Sequence, residues 1–70
     1  MPSYSPELIT IMRTVLDETM TKVPMEQATN TTKAYLAEFI LKRAADGVTS
    51  YDALIDAAAQ QLPTILSLFM

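Results

Sequence analysis

The chain has 70 residues, half of them hydrophobic, and carries a net charge of −3 at pH 7. A chain of this length forms one domain and buries only about 60% of its unfolded surface, so its stability depends on tight packing or on oligomerisation. It contains no cysteine and no histidine, which excludes disulfides, thiolate metal sites and imidazole ligands. The acidic charge argues against nucleic acids and anionic membranes as main partners.

The first predicted helix covers residues 6–23. Ser5, Pro6 and Glu7 are typical of a helix start, because serine caps free amides, proline is tolerated in the first turn and a carboxylate favours the positive helix end. Pro24 disfavours helical backbone in the residue before it, so the helix is expected to end there. The apolar face at helical spacing consists of Leu8, Met12, Val15, Leu16, Thr19 and Val23, with Ile9, Ile11 and Met20 on its flanks.

The second predicted helix covers residues 29–46 and ends before Gly47, the only glycine of the chain. Glycine is the usual left-handed residue after a helix, and Val48 behind it supplies the apolar contact that often closes such a cap. The start of the helix is open to more than one interpretation. Glu26, Gln27 and Ala28 allow an early start, whereas Thr29, Asn30 and Thr31 are each competent caps for a later one.

A broad apolar arc on the second helix predicts that it lies at the centre of the bundle. On a helical wheel this arc holds Ala34, Ala37, Ile40, Leu41, Ala44 and Ala45, with Leu36 at its edge. An arc of about half the circumference is wider than one neighbour needs. We therefore expect the second helix to contact two neighbouring helices.

The third predicted helix covers residues 50–69, with Thr49 as its cap and Asp52 completing a capping box. One face carries Tyr51, Leu54, Ile55, Ala58 and Leu62. Pro63 is a helix breaker, yet the same stripe continues beyond it with Ile65, Leu66 and Phe69. The pattern favours a helix that is extended or kinked at Pro63, and a break with a new helix starting there is the alternative. Together the elements predict an all-α fold, a three-helix antiparallel bundle that forms a single domain over residues 1–70.

The apolar C-terminal stretch leads to the functional hypothesis. No charged side chain follows Asp56, and a domain of this size is expected to leave part of so apolar a tail exposed, which monomers rarely tolerate. The sequence therefore predicts a small non-enzymatic protein-interaction module that self-associates, most simply as a homodimer. The predicted self-association residues are Leu62, Ile65, Leu66, Leu68, Phe69 and Met70.

A small DNA-binding regulator is the alternative, because helix, glycine, short turn and helix is the outline of a helix-turn-helix. The helix that would read the bases contains no lysine or arginine and carries Asp52 and Asp56, which repel phosphates. An enzyme is the third hypothesis, with Arg13 and Lys33 holding an anionic substrate between protomers. We predict no catalytic residue, cofactor or metal, because the acidic side chains are explained as the solvent-exposed face of amphipathic helices. The spacing of Phe39 and Arg43 suits a surface cation–π contact.

Two features bear on location. No apolar run approaches the roughly 20 residues needed to span a bilayer, and no basic segment followed by an apolar core marks a secretory signal. A cytoplasmic location is the resulting expectation.

The run Met12 to Glu18 contains the sequence Val-Leu-Asp-Glu, and residues 37–47 follow the pattern Ala-x-x-Ile-Leu-x-x-Ala-x-x-Gly. In these two helices the chain resembles a group of short uncharacterised helical proteins from alpha-proteobacteria. The likeness covers about residues 8–54 and leaves the apolar tail outside it. It implies a bacterial cytoplasmic setting and no particular chemistry.

Overall fold

The computed structural model describes residues 4–68, which form three helices and contain no strand. Helix α1 spans Pro6–Met20, α2 spans Asn30–Ala45 and α3 spans Tyr51–Ser67. Each helix packs against the other two, so the predicted all-α three-helix bundle is confirmed. Tyr4, just before α1, bonds to the carbonyl of Leu41 late in α2, and the end of α3 packs beside the start of α2. Helix α2 therefore runs opposite to both of its neighbours.

Hydroxyl side chains cap all three helices. Ser5 accepts a hydrogen bond from the Leu8 amide at 3.1 Å, as predicted for the first helix, and Pro6 follows it at the first helical position. Thr29, one of the three caps considered for the second helix, accepts from the Thr32 amide at 3.2 Å. The predicted capping box of the third helix is wrong by one residue, since Ser50 rather than Thr49 is the cap. Both hydroxyl residues suit a cap, and sequence spacing alone did not separate them.

The connection between α1 and α2 differs from the prediction in two ways. Helix α1 ends at Met20, three residues before the predicted limit, and the chain turns there as the Thr21 hydroxyl bonds to the carbonyl of Glu18. The early start considered for the second helix is a separate 3₁₀ turn, Met25–Gln27. Because Thr29 caps the next helix, this turn does not join α2.

Gly47 closes α2 as predicted. Its φ angle is +100°, and its amide donates to the carbonyl of Ala44 at 3.1 Å while the amide of Val48 donates to that of Arg43 at 3.0 Å. These two bonds define a Schellman motif. The Val48 side chain packs against the core, which supplies the apolar contact of the motif.

Replacing Gly47 with alanine is expected to lower the free energy of unfolding by about 1–2 kcal/mol, the cost of a left-handed backbone for a residue with a Cβ atom. A Cβ atom at this position would meet no atom within 4 Å, so the loss is conformational and not steric. Urea unfolding of Gly47→Ala and of Gly47→Asn measures it. Asparagine tolerates this backbone better, and an equal loss in both variants would contradict the explanation.

The core divides into two clusters along the bundle. At one end, residues of all three helices pack together: Met12, Val15, Ile40, Ala44, Leu54 and Ala58. At the other end, the second cluster joins the link that follows α1, the start of α2 and the end of α3: Val23, Leu36, Leu62 and Ile65. The predicted apolar faces of the first and third helices are confirmed by this burial.

The predicted arc of the second helix is rotated from the face that is buried. Leu36, placed at the edge, is fully buried, whereas Leu41 is 42% exposed. Ala34 and Ala45 are exposed as well. Alanine contributes to an apolar pattern but gains little from burial, so the larger Leu36 and Ile40 set the orientation of α2. Helix α2 still contacts two neighbours, as the width of the arc predicted.

Helix α3 continues through Pro63. The proline lies on the exposed side, while Leu62 and Ile65 on either side of it are buried. Burial of these side chains compensates for the backbone hydrogen bond that proline cannot make. The alternative of a new helix starting at Pro63 is therefore wrong.

Candidate functional site

The six residues predicted for self-association fall into three groups in the structure. Leu62 and Ile65 are 8% and 3% exposed and pack inside the bundle against Val23 and Leu36. Leu66 is partly buried against the same cluster. Leu68 is 62% exposed, while Phe69 and Met70 lie outside the described residues. Much of the apolar C-terminal stretch is thus used within the chain, and Leu68 is the described member with a largely free side chain.

Leu68 belongs to a shallow groove between α2 and α3, which we call the α2–α3 face. Its volume is about 260 Å³. The face combines apolar, polar and charged side chains, and the residues that line it are Tyr35, Glu38, Phe39, Lys42, Gln61, Ile65 and Leu68. Tyr35 is 48% exposed. The face therefore presents both an aromatic and an aliphatic side chain to the outside.

Two opposite charges lie one helical turn apart on this face. Glu38 and Lys42 are both exposed, and within residues 4–68 neither forms an ion pair. Residues four apart on a helix are separated by about 6 Å along its axis. The two charges are thus available to a partner that presents the opposite order.

Phe39 is half-buried, lines the face and also contacts Arg43. The Arg43 guanidinium lies 5.8 Å from the centre of the Phe39 ring, which confirms the predicted cation–π contact. The same guanidinium donates to the carboxylate of Asp46 at 2.6 Å. These contacts hold the Arg43 side chain beside the Phe39 ring.

A second and more apolar groove separates α1 from α2, and we call it the α1–α2 groove. Its volume is about 330 Å³. All of its lining residues except Arg13 are uncharged, and they are Tyr4, Ile9, Met12, Arg13, Leu16, Ala37, Ile40 and Leu41. Ile9 and Leu41 are each 42% exposed, so the groove is open to solvent between them.

The origin of this groove lies in the orientation of α2. Because Leu36 and Ile40 face the core, the small Ala37 and the exposed Leu41 turn toward the side of α1. Ala37 contributes only a methyl group to this lining, which leaves a depression. The sequence pattern did not indicate this site, because the apolar periodicity of these residues predicts a core position, although the width of the arc was a signal for it.

Arg13 is the one charged side chain of the α1–α2 groove. It is exposed, and within residues 4–68 it forms neither an ion pair nor a side-chain hydrogen bond. Lys33, paired with Arg13 in the enzymatic hypothesis, does not line the groove. The two basic residues are therefore not brought together by the groove.

The acidic side chains are spread over the helices. Glu18 accepts a hydrogen bond from the Tyr51 hydroxyl across α1 and α3, and this bond raises the pKa of the tyrosine above its usual value. Within residues 4–68, no three acidic side chains lie close enough to hold a metal ion. The same stretch contains no helix with the length and hydrophobicity required to cross a bilayer.

Comparison with protein-family models, with curated proteins and with solved structures finds no match for the chain.

Proposed function

We propose that the protein is a small non-enzymatic interaction module that forms a homodimer through its α2–α3 face. The observation that carries the proposal is the arrangement of Glu38 and Lys42 beside the exposed side chains of Tyr35 and Leu68. A bacterial cytoplasmic setting belongs to the same proposal and rests on the sequence resemblance described above.

A two-fold symmetric interface requires a surface that complements itself. If the α2 helices of two copies lie antiparallel with the symmetry axis midway between Glu38 and Lys42, Glu38 of each copy faces Lys42 of the other. Two opposite-charge pairs then form across the axis. Tyr35 of each copy then lies opposite the exposed Ala45 of the other. Burial of the Tyr35 and Leu68 side chains against the partner supplies the stabilisation that such exposed charge pairs do not, since each pair contributes at most about 1 kcal/mol.

The size of the molecule is compatible with such an interface. A stable interface buries about 800 Å² on each partner, and the accessible surface of the chain is 4743 Å². The Cα atoms extend over 34 × 19 × 19 Å. One long side of the bundle therefore offers an area of the required order, and an interface of standard size occupies about one-sixth of the surface.

The pairing of Glu38 with Lys42 across the axis can be tested by sedimentation equilibrium at micromolar concentration. Lys42→Glu is expected to weaken the dimer on the order of tenfold, because two attractive pairs become repulsive in each dimer. The double variant Glu38→Lys/Lys42→Glu restores both pairs in reverse order, so it is expected to recover the original dissociation constant.

Lys33→Glu is the matched control, since it makes the same charge change at another exposed position of α2. It is expected to leave the dimer unchanged. A monomeric wild-type chain at these concentrations, or a double variant as weak as Lys42→Glu, would overturn the proposal.

DNA binding, the alternative from the sequence, receives no support from the charges of α3. Asp52 and Asp56 are exposed, and Tyr51–Ser67 contains no basic side chain. Binding to duplex DNA that weakens steeply with added salt would nevertheless favour it over self-association.

A further inference from the structure

The α1–α2 groove pairs an apolar floor with a single cation. Met12, Leu16 and Ile40 form the floor, and the half-exposed Ile9 and Leu41 form the two walls. A volume of about 330 Å³ lies at the lower end of the range of small-molecule sites, which are mostly apolar and carry a few polar groups that orient the ligand. The groove has this composition.

Arg13 determines the charge of the occupant. Its guanidinium has no partner within residues 4–68, and its planar donor group suits a carboxylate. The α2 side of the groove contributes Ala37, Ile40 and Leu41, with no charged group. Arg13 is therefore the one charged contact that the groove offers, which fits a ligand with one anionic head and an otherwise apolar body.

The length of the groove favours a linear apolar body. Its lining on α1 extends from Ile9 to Leu16, a distance of about 10 Å at 1.5 Å per residue. We propose that the α1–α2 groove binds a medium-chain fatty acid, whose carboxylate pairs with Arg13 and whose alkyl chain lies along the floor between Ile9 and Leu41.

The test is a titration of the ¹⁵N-labelled full chain with sodium decanoate below its micelle concentration, followed by amide NMR. Shift changes are expected at Ile9, Met12, Leu16 and Leu41. Octanoate is expected to bind more weakly than decanoate, by about fourfold for each methylene that the groove no longer buries. Decanol and decyltrimethylammonium, which lack the anionic head, are expected to bind at least fivefold more weakly than decanoate.

Two variants separate the charge from the apolar floor. Arg13→Gln is expected to weaken decanoate binding about tenfold, as for the loss of a charge-assisted hydrogen bond, with no effect on decanol. Lys22→Gln removes an exposed charge that does not line the groove, so it is the matched control and is expected to bind decanoate normally. Ala37→Leu fills the depression and is expected to abolish binding of both decanoate and decanol, with circular dichroism confirming that the helices are retained.

Four results would overturn the proposal. Equal affinities for decanoate and decanol would contradict the proposed role of Arg13. Shift changes confined to the α2–α3 face, or no saturable change at all, also contradict it. Shifts of the groove amides that depend on protein concentration without ligand would assign the groove to a second copy of the chain.

Discussion

Leu36→Ala is expected to lower the free energy of unfolding by about 2–5 kcal/mol, as for other buried leucines truncated to alanine. Leu36 is fully buried in the cluster that joins α2 to the end of α3, so its truncation leaves a cavity that neighbours on three segments must fill. A chain of this size has a total stability of about 4–10 kcal/mol. The substitution is therefore expected to remove a large fraction of the total stability and to lower the urea midpoint of the variant accordingly.

Leu41→Ala is the matched control, because it is the same substitution on the same helix. Leu41 is 42% exposed, and its truncation is expected to cost at most about 1 kcal/mol. Urea unfolding followed by circular dichroism at 222 nm, the usual helix band, compares the two variants directly. A larger loss for Leu41→Ala would show that the orientation of α2 described here is incorrect and that the arc predicted from the sequence is the buried face.

Ile65→Ala is expected to destabilise the folded chain by about 2–4 kcal/mol, whereas Leu68→Ala is expected to leave its stability within about 0.5 kcal/mol. The two residues lie one helical turn apart at the end of α3, but Ile65 is 3% exposed and Leu68 is 62% exposed. The pair thus separates the part of the apolar stretch that stabilises the fold from the part that is available to a partner.

The two variants are measured by urea unfolding at a concentration below the dimer dissociation constant and by sedimentation equilibrium above it. Leu68→Ala is expected to raise the dissociation constant at least tenfold, because one exposed side chain is lost from each copy. If Ile65→Ala instead unfolded like the wild-type chain and only the association changed, the C-terminal turns of α3 would belong to an interface and not to the core.

The helices themselves were predictable from the sequence because their signals are local. Ser5 before a proline, and Gly47 followed by Val48, specify a start and an end through backbone groups only a few residues away. The continuation of α3 through Pro63 followed from the unbroken stripe that contains Leu62 and Ile65. Such periodicity reports the face of a helix whenever large side chains define it.

The orientation of α2 and the grooves beside it could not be derived in this way. A helical wheel gives Ala34 and Ala45 the same weight as Ile40, although burial of the larger side chain gains far more free energy. Whether Leu68 is covered depends on the position of a neighbouring helix, which a single sequence pattern does not contain. The α1–α2 groove is lined by residues of both helices, among them the small Ala37, so it is a property of two segments and not of either one.

The two connections of the bundle differ in a way that bears on how the chain folds. The link from α2 to α3, residues 46–50, is shorter than the link from α1 to α2, residues 21–29, and it is held by the Schellman motif at Gly47 and the cap at Ser50. Closing a shorter loop costs less chain entropy. The α2–α3 hairpin is thus the segment best placed to form in the folding transition state, and the destabilisation by Gly47→Ala should appear as slower folding more than as faster unfolding.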